Sequence, residues 1–268
     1  MMRSSNPVLS RNDTWSSGGY APADQSYGQQ PQHGGPIGQQ DRNRGVMTLD
    51  DVITKTAVML GIVVLSAGAT YFLLPQPLWL PAAIVGGLGT FILTIIVAAR
   101  RTVPVPLAFV FSVLEGMLVG AISGVFENVY PGIVVQAVFA TMVAAGVTLA
   151  AYKFFNIKVG NTFRKVVTIA TIAIAAVMLI NFIVFLFNGA GIGIRAGVTG
   201  EVGLLPYLFS AIAVVLAVLN LVMDFDHVER GIAMRAPADQ SWKAAFGLTV
   251  TLVWLYIELL RIISYFRR

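Results

Sequence analysis

Val166-Val167-Thr168-Ile169-Ala170-Thr171-Ile172-Ala173-Ile174-Ala175-Ala176-Val177-Met178-Leu179-Ile180-Asn181-Phe182-Ile183-Val184-Phe185-Leu186-Phe187 contains no Asp, Glu, Lys or Arg. At about 1.5 Å of rise per residue a helix of this length crosses a hydrocarbon core of about 30 Å. The run is continuously apolar and does not alternate, which excludes the strand of a membrane barrel. In lipid every backbone polar group needs an internal partner, so the run is a helix.

Six further runs of the same kind accompany it. The seven expected spans lie near Val52–Leu74, Leu78–Ala99, Val103–Phe126, Gly132–Tyr152, Val166–Phe187, Leu204–Asp224 and Ala244–Tyr265. Their connections are short: Pro75-Gln76-Pro77, then Arg100-Arg101 with Pro104, then Asn128-Val129-Tyr130-Pro131-Gly132 as a turn. Composition agrees. The chain is 268 residues long, 56% hydrophobic and only 12% charged, against about 25% charged in soluble domains. The charge supply cannot cover a water-facing surface, so a soluble globular protein and a disordered chain are both excluded. The expectation is an all-α polytopic membrane protein, a seven-helix bundle over residues 46–268.

Residues 1–45 are different. From Ser16 to Gly45 the chain is rich in Gly, Gln, Ser and Pro and lacks apolar periodicity, which reads as a disordered tail. No apolar core follows its early arginines, so it is not read as a secretory signal. Trp15, Tyr20 and Tyr27 could dock a partner; a solvated tail is the simpler reading.

The net charge of +5 is carried by short loops, where it sets orientation and meets anionic headgroups, not nucleic acid. Basic residues gather in the tail and first-span entrance, in the second loop (Arg100, Arg101), the fourth (Lys153, Lys158, Arg164, Lys165) and the sixth (Arg230, Arg235, Lys243). The first and third loops hold none and the fifth only Arg195. The tail is therefore expected in the cytoplasm. Arg261, Arg267 and Arg268 raise the alternative that the last helix re-enters, but its apolar stretch is long enough to cross.

Small residues at four-residue spacing, Gly116, Gly120 and Gly124 with Ala137, Thr141 and Ala145, predict close helix packing. Ionisable groups inside the spans are costly in lipid and point to function. Glu115 sits midway along the third span, Asp224 and Asp226 close the sixth, and Glu258 lies deep in the seventh, followed by Arg261. Asn220, Asp224 and His227 share one helical face; Gly247, Thr251, Trp254, Glu258 and Arg261 form a stripe on the next helix. Consecutive helices are usually antiparallel neighbours, so the two stripes could meet. Two carboxyls in a dry site would share one proton near neutral pH, and losing it would open the bundle and expose oxygens suited to Ca²⁺.

Blander readings compete. Asp224 and Asp226 could be interfacial acids, Asp226 could make a surface pair with Arg230, and Glu258 could be neutralised by Arg261 one turn on. His227 reads as a loop-side residue. Cysteine is absent and the only histidines are His33 and His227, so neither a thiol site nor a His-rich metal site can be built. No nucleophile elbow or P-loop appears. Gly189, Gly191 and Gly193 read as a flexible loop. An intramembrane aspartyl protease would need two facing acids, but Val222-Met223-Asp224-Phe225-Asp226 lacks the usual Gly-rich context.

Leu221-Val222-Met223-Asp224-Phe225-Asp226-His227-Val228-Glu229-Arg230-Gly231, then Trp242, Ala245-Phe246-Gly247-Leu248 and Leu252-Val253-Trp254-Leu255-Tyr256-Ile257-Glu258-Leu259-Leu260-Arg261, resembles the bacterial branch of the Bax inhibitor-1-like family, the transmembrane Bax inhibitor motif superfamily. Ser5-Asn6-Pro7-Val8-Leu9 is similar to the start of its long-tailed actinobacterial members. The resemblance implies a seven-helix bundle that leaks Ca²⁺ in a pH-dependent way through a proton-sharing acid pair. Asp224 matches the first acid. Glu258 stands where a second acid is expected, with Trp254 one turn earlier as the alternative register. Arg101 and Glu115 match positions where relatives also carry charge.

The reading is a non-enzymatic, pH-sensitive cation leak, for Ca²⁺, in the bacterial inner membrane. Asp224 would sense protons, Glu258 and Glu115 would line the path, and Asp226, Arg101, His227 and Trp254 are secondary candidates. No cofactor is expected beyond Ca²⁺ as a transported or bound ion. The partners are lipid, Ca²⁺ or protons, and a membrane protein in the rival reading, a regulator of a membrane protease or stress response.

Overall fold

The computed structural model describes residues 45–155, 157, 159–198 and 201–267. The expected tail, with Trp15, Tyr20, Tyr27 and His33, lies outside the described residues apart from Gly45, as do Ser5–Leu9, Lys158 and Arg268. The described chain forms seven long helices: α1 Leu49–Leu73, α2 Trp79–Ala99, α3 Val105–Val129, α4 Ile133–Phe154, α5 Asn161–Asn188, α6 Leu204–Ala233 and α7 Gln240–Phe266. All seven are long and apolar enough to cross a membrane. The chain is a multi-pass membrane protein.

Most of the expected spans hold their place, but the helices run past them. α6 continues nine residues beyond Asp224, and α7 begins four residues before Ala244. The reason is that a charged residue marks where the hydrocarbon ends, not where backbone hydrogen bonding ends. Asp226, His227 and Arg230 therefore lie within α6 and not after it.

α7 packs against α1, α3, α4 and α6, and Leu255, Leu260 and Thr249 along it are fully buried. The opposite case is α5, where Val167 is the one buried residue among those described. The α1–α3 crossing is close because α3 offers glycines there. A Cβ on Gly116 would lie 2.5 Å from Ser66 Cβ and from the Val63 carbonyl oxygen, and one on Gly124 would lie 3.0 Å from the Tyr71 ring. Gly120 faces Ala67 in the same row.

Contacts sort the loops into two ends. At one, Val46 and Pro237 form an antiparallel bridge, Met47 N donates to the Ala236 carbonyl at 2.8 Å and Ala238 N to that of Gly45 at 2.8 Å. Gln240 Nε2 and Lys243 Nζ donate to the Arg101 and Arg100 carbonyls at 3.1 and 2.7 Å. At the other end Tyr130 Oη donates to the Val198 carbonyl at 3.1 Å, and Arg267 donates to that of Pro131 at 3.0 Å. α7 is one unbroken helix between the two ends, so it crosses and does not re-enter.

Candidate functional site

Asp224 sits two turns before the end of α6, turned toward α7. Its Oδ2 accepts from Thr251 Oγ1 at 2.6 Å, and a Cβ on Gly247 would lie 3.5 Å from its Oδ1. Small Gly247 lets the carboxyl approach and Thr251, one turn on, supplies the donor. No cation pairs with Asp224 among the described residues. Asn220, on the same face, donates instead to Thr171 Oγ1 of α5 at 2.7 Å.

Glu258 does not join Asp224. It is 1% exposed and is paired with Arg195, which the α5–α6 loop inserts into the bundle. Its other oxygen, Oε2, is buried without a hydrogen-bond partner. Thr251 and Glu258 are seven residues apart on α7, or about 10 Å of helix rise. The expected acid pair, and a Ca²⁺ site shared by it, are therefore not assembled in this conformation. The one-helix pair of Glu258 with Arg261 is not formed either. Arg261 stacks over Phe126, 5.9 Å from the ring centre, with its Nε buried and unpartnered.

Asp226 is no surface acid. It is 6% exposed and serves two arginines: Arg164 at the start of α5 and Arg230, whose Nε lies 3.1 Å from Oδ1. Arg230 also donates to the Val159 carbonyl at 2.8 Å, so this acid fastens the α4–α5 connection to α6. His227 points outward and is exposed. Trp254 is half-buried on the α7 stripe. Arg101 is exposed just before α3 and engages α7 only through its carbonyl.

Glu115 is 8% exposed and faces α2, beside Thr90. It thus belongs to the α2–α3 contact and not to a chamber shared with Asp224. A cavity of about 700 Å³ lies between α1, α3, α4 and α7, lined by Leu60, Val63, Tyr71, Val138 and Tyr256 among others. None of the candidate acids lines it. Among the described residues no three acids or histidines converge to hold a metal ion.

Three positions escape a reading by residue type. Thr251 was visible in the polar stripe but looks like a spacer between acids. Arg195 looks like an isolated loop charge. Glu127 caps α4: its two oxygens accept from Gly132 N at 2.6 Å and Val134 N at 3.0 Å. An acid one short turn ahead of a Pro-Gly helix start was the available signal.

The family described as Bax inhibitor 1 like has a model that matches residues 6–268. No curated protein matches the chain significantly. The family match spans nearly the whole sequence, from the tail to the last residue of α7 and beyond, and on that footing the chain belongs to the Bax inhibitor 1 like family.

Proposed function

We propose that this membrane protein is a pH-sensitive cation leak, without covalent chemistry of its own, in which Asp224 is the proton-sensing group. One observation carries the reading. Asp224 is a carboxyl held between two membrane helices and bonded, among the described residues, only to the neutral Thr251 hydroxyl. An ionisable group at membrane depth without a charge partner is costly, so its protonation state and the α6–α7 contact are linked. With the proton on, the two helices close over a neutral group. As pH rises the proton leaves, and the bare charge needs either water or a cation beside it.

Ca²⁺ is the cargo we favour. Asp224 and Thr251 supply too few oxygens to form a resident Ca²⁺ site, which takes six to eight, and few oxygens suit an ion that must leave again. Glu258 serves in this reading as the partner of Arg195 and not as a second proton acceptor. The loop charges support a cytoplasmic start of the chain, and the resemblance to the bacterial branch of the family favours the inner membrane.

The test is Ca²⁺ entry into vesicles reconstituted with the full chain. Entry should rise across the neutral pH range and become pH-independent in Asp224→Asn. Vesicles that stay tight at every pH would overturn the leak and favour a regulatory, partner-binding role.

A further inference from the structure

The Arg195–Glu258 contact joins the α5–α6 loop to the later half of α7, and the leak proposed above gives it no task beyond pairing the two charges. The loop is built to deliver that side chain. Asn188 Oδ1 accepts from the backbone N–H groups of Ala190 and Gly191 at 2.9 and 2.8 Å, and Asn181 Oδ1 accepts from Ile192 N at 3.0 Å. Gly191, at φ 77°, passes so close to Asn181 that a Cβ there would lie 2.5 Å from Oδ1. The expected flexible glycine loop is therefore a wound segment that turns back over the end of α5. Beyond it Arg195 enters the bundle, its side chain 15% exposed, its Nε–H aimed at Met178 Sδ and its guanidinium 5.7 Å from the centre of the Phe209 ring. Val198, three residues on, is tied to Tyr130 at the end of α3.

Charge is unbalanced where Arg195 arrives. Two guanidinium groups, Arg195 and Arg261, lie in electrostatic range of one carboxylate, Glu258. The Arg261 guanidinium interacts with Tyr265, but its Nε and Glu258 Oε2 are buried without hydrogen-bond partners. A group fixed for stability alone would be expected to satisfy these atoms. An excess of fixed positive charge also repels cations at close quarters.

We infer that the loop carrying Arg195 is a detachable plug: its guanidinium, held by Glu258, closes the α7 polar stripe at the end of the bundle opposite the Asp224 contact. Withdrawing Arg195 would uncover Glu258, Trp254 and the stripe beyond to water. The plug rests on the leak reading only for its effect on ion flow; its effect on water access stands separately.

The chain has no cysteine, so Trp254→Cys gives a single reporter on the stripe. Its modification rate by a charged, membrane-impermeant thiol reagent would be measured in reconstituted full-length protein. The background Arg195→Gln/Glu258→Gln removes both charges at once and so avoids a lone buried carboxylate. There the rate should rise about tenfold or more, as expected when a holding contact of ordinary strength is lost. The exchanged pair Arg195→Glu/Glu258→Arg should return it toward the original rate. Equal rates in the original and neutral-pair backgrounds would overturn the plug. Ca²⁺ flux measured on the same samples separates the two ideas: faster labelling in silent vesicles sinks the leak and keeps the plug, and unchanged labelling in leaking vesicles does the reverse.

Discussion

Asp224 and Asp226 are two residues apart on one helix, and the structure assigns them opposite roles in stability. Replacing each by Asn tests that assignment. Asp226 is buried and carries two arginines, so Asp226→Asn leaves both guanidiniums without their carboxylate. Removing one partner of a fully buried pair costs about 3–5 kcal/mol. The Arg164 and Arg230 side chains are 35% and 46% exposed, so water recovers part of that, and the cost falls to about 1–3 kcal/mol. For a bundle of this size that is a loss of roughly 3–10 °C in melting temperature. Asp224→Asn removes a carboxyl that has no cation partner and keeps an oxygen for the Thr251 hydroxyl, so its cost is about zero, within roughly 0.5 kcal/mol either way. Thermal unfolding of the two purified single variants in one detergent, followed by loss of helical signal, gives the comparison. Equal losses, or a larger loss for Asp224→Asn, would refute the assignment of Asp226 as the fastener and Asp224 as the unpaired group.

Thr251→Val keeps the shape beside Asp224 and deletes the hydroxyl. Hydrogen bonds between membrane helices are worth about 0.6–1.7 kcal/mol, so stability should fall slightly while the pH profile of Ca²⁺ flux in vesicles changes. Gly120→Leu should separate α1 from α3 and cost about 1–3 kcal/mol by overpacking, whereas Gly146→Ala, which meets open space, should be neutral or gain about 0.5–1 kcal/mol; melting curves decide both. The flux profile itself should follow a single titrating group, since no second carboxyl among the described residues bonds Asp224. Two separable steps would contradict that, because coupled acids lose their protons in two stages. Glu258→Gln should alter the size of the flux and leave its pH dependence in place.

The helices were legible because their signal is collective: about twenty apolar side chains in a row leave one physical solution in lipid. Helix ends were less so, since Arg164, Asp226 and Arg230 stop the apolar pattern without stopping the helix. The site was legible residue by residue but not in its pairing. Helical periodicity puts Thr251 and Glu258 on one stripe, but it is silent on the depth at which α6 meets that stripe, and the α6–α7 connection sets that depth. Pairing with a distant loop has no periodic signature at all. Arg195 therefore read as a stray charge, although it contacts Glu258 across 63 residues of sequence.

The geometry divides one polar stripe between two different electrostatic situations. At Thr251 the stripe meets Asp224 with a neutral hydroxyl, and at Glu258 it meets a guanidinium, a permanent cation in proteins. A contact held by a permanent cation responds to whatever moves the loop; a contact held by a hydroxyl responds to the proton. Had the stripe carried a second acid at Thr251, both devices would have been the same device, two coupled carboxyls answering only to pH. With threonine there and the second acid two turns further on, the proposed proton sensing and the proposed closure would lie at separate levels of α7. That separation is why changes at Asp224 should act on when the path opens, and changes at Arg195 on how far it is open.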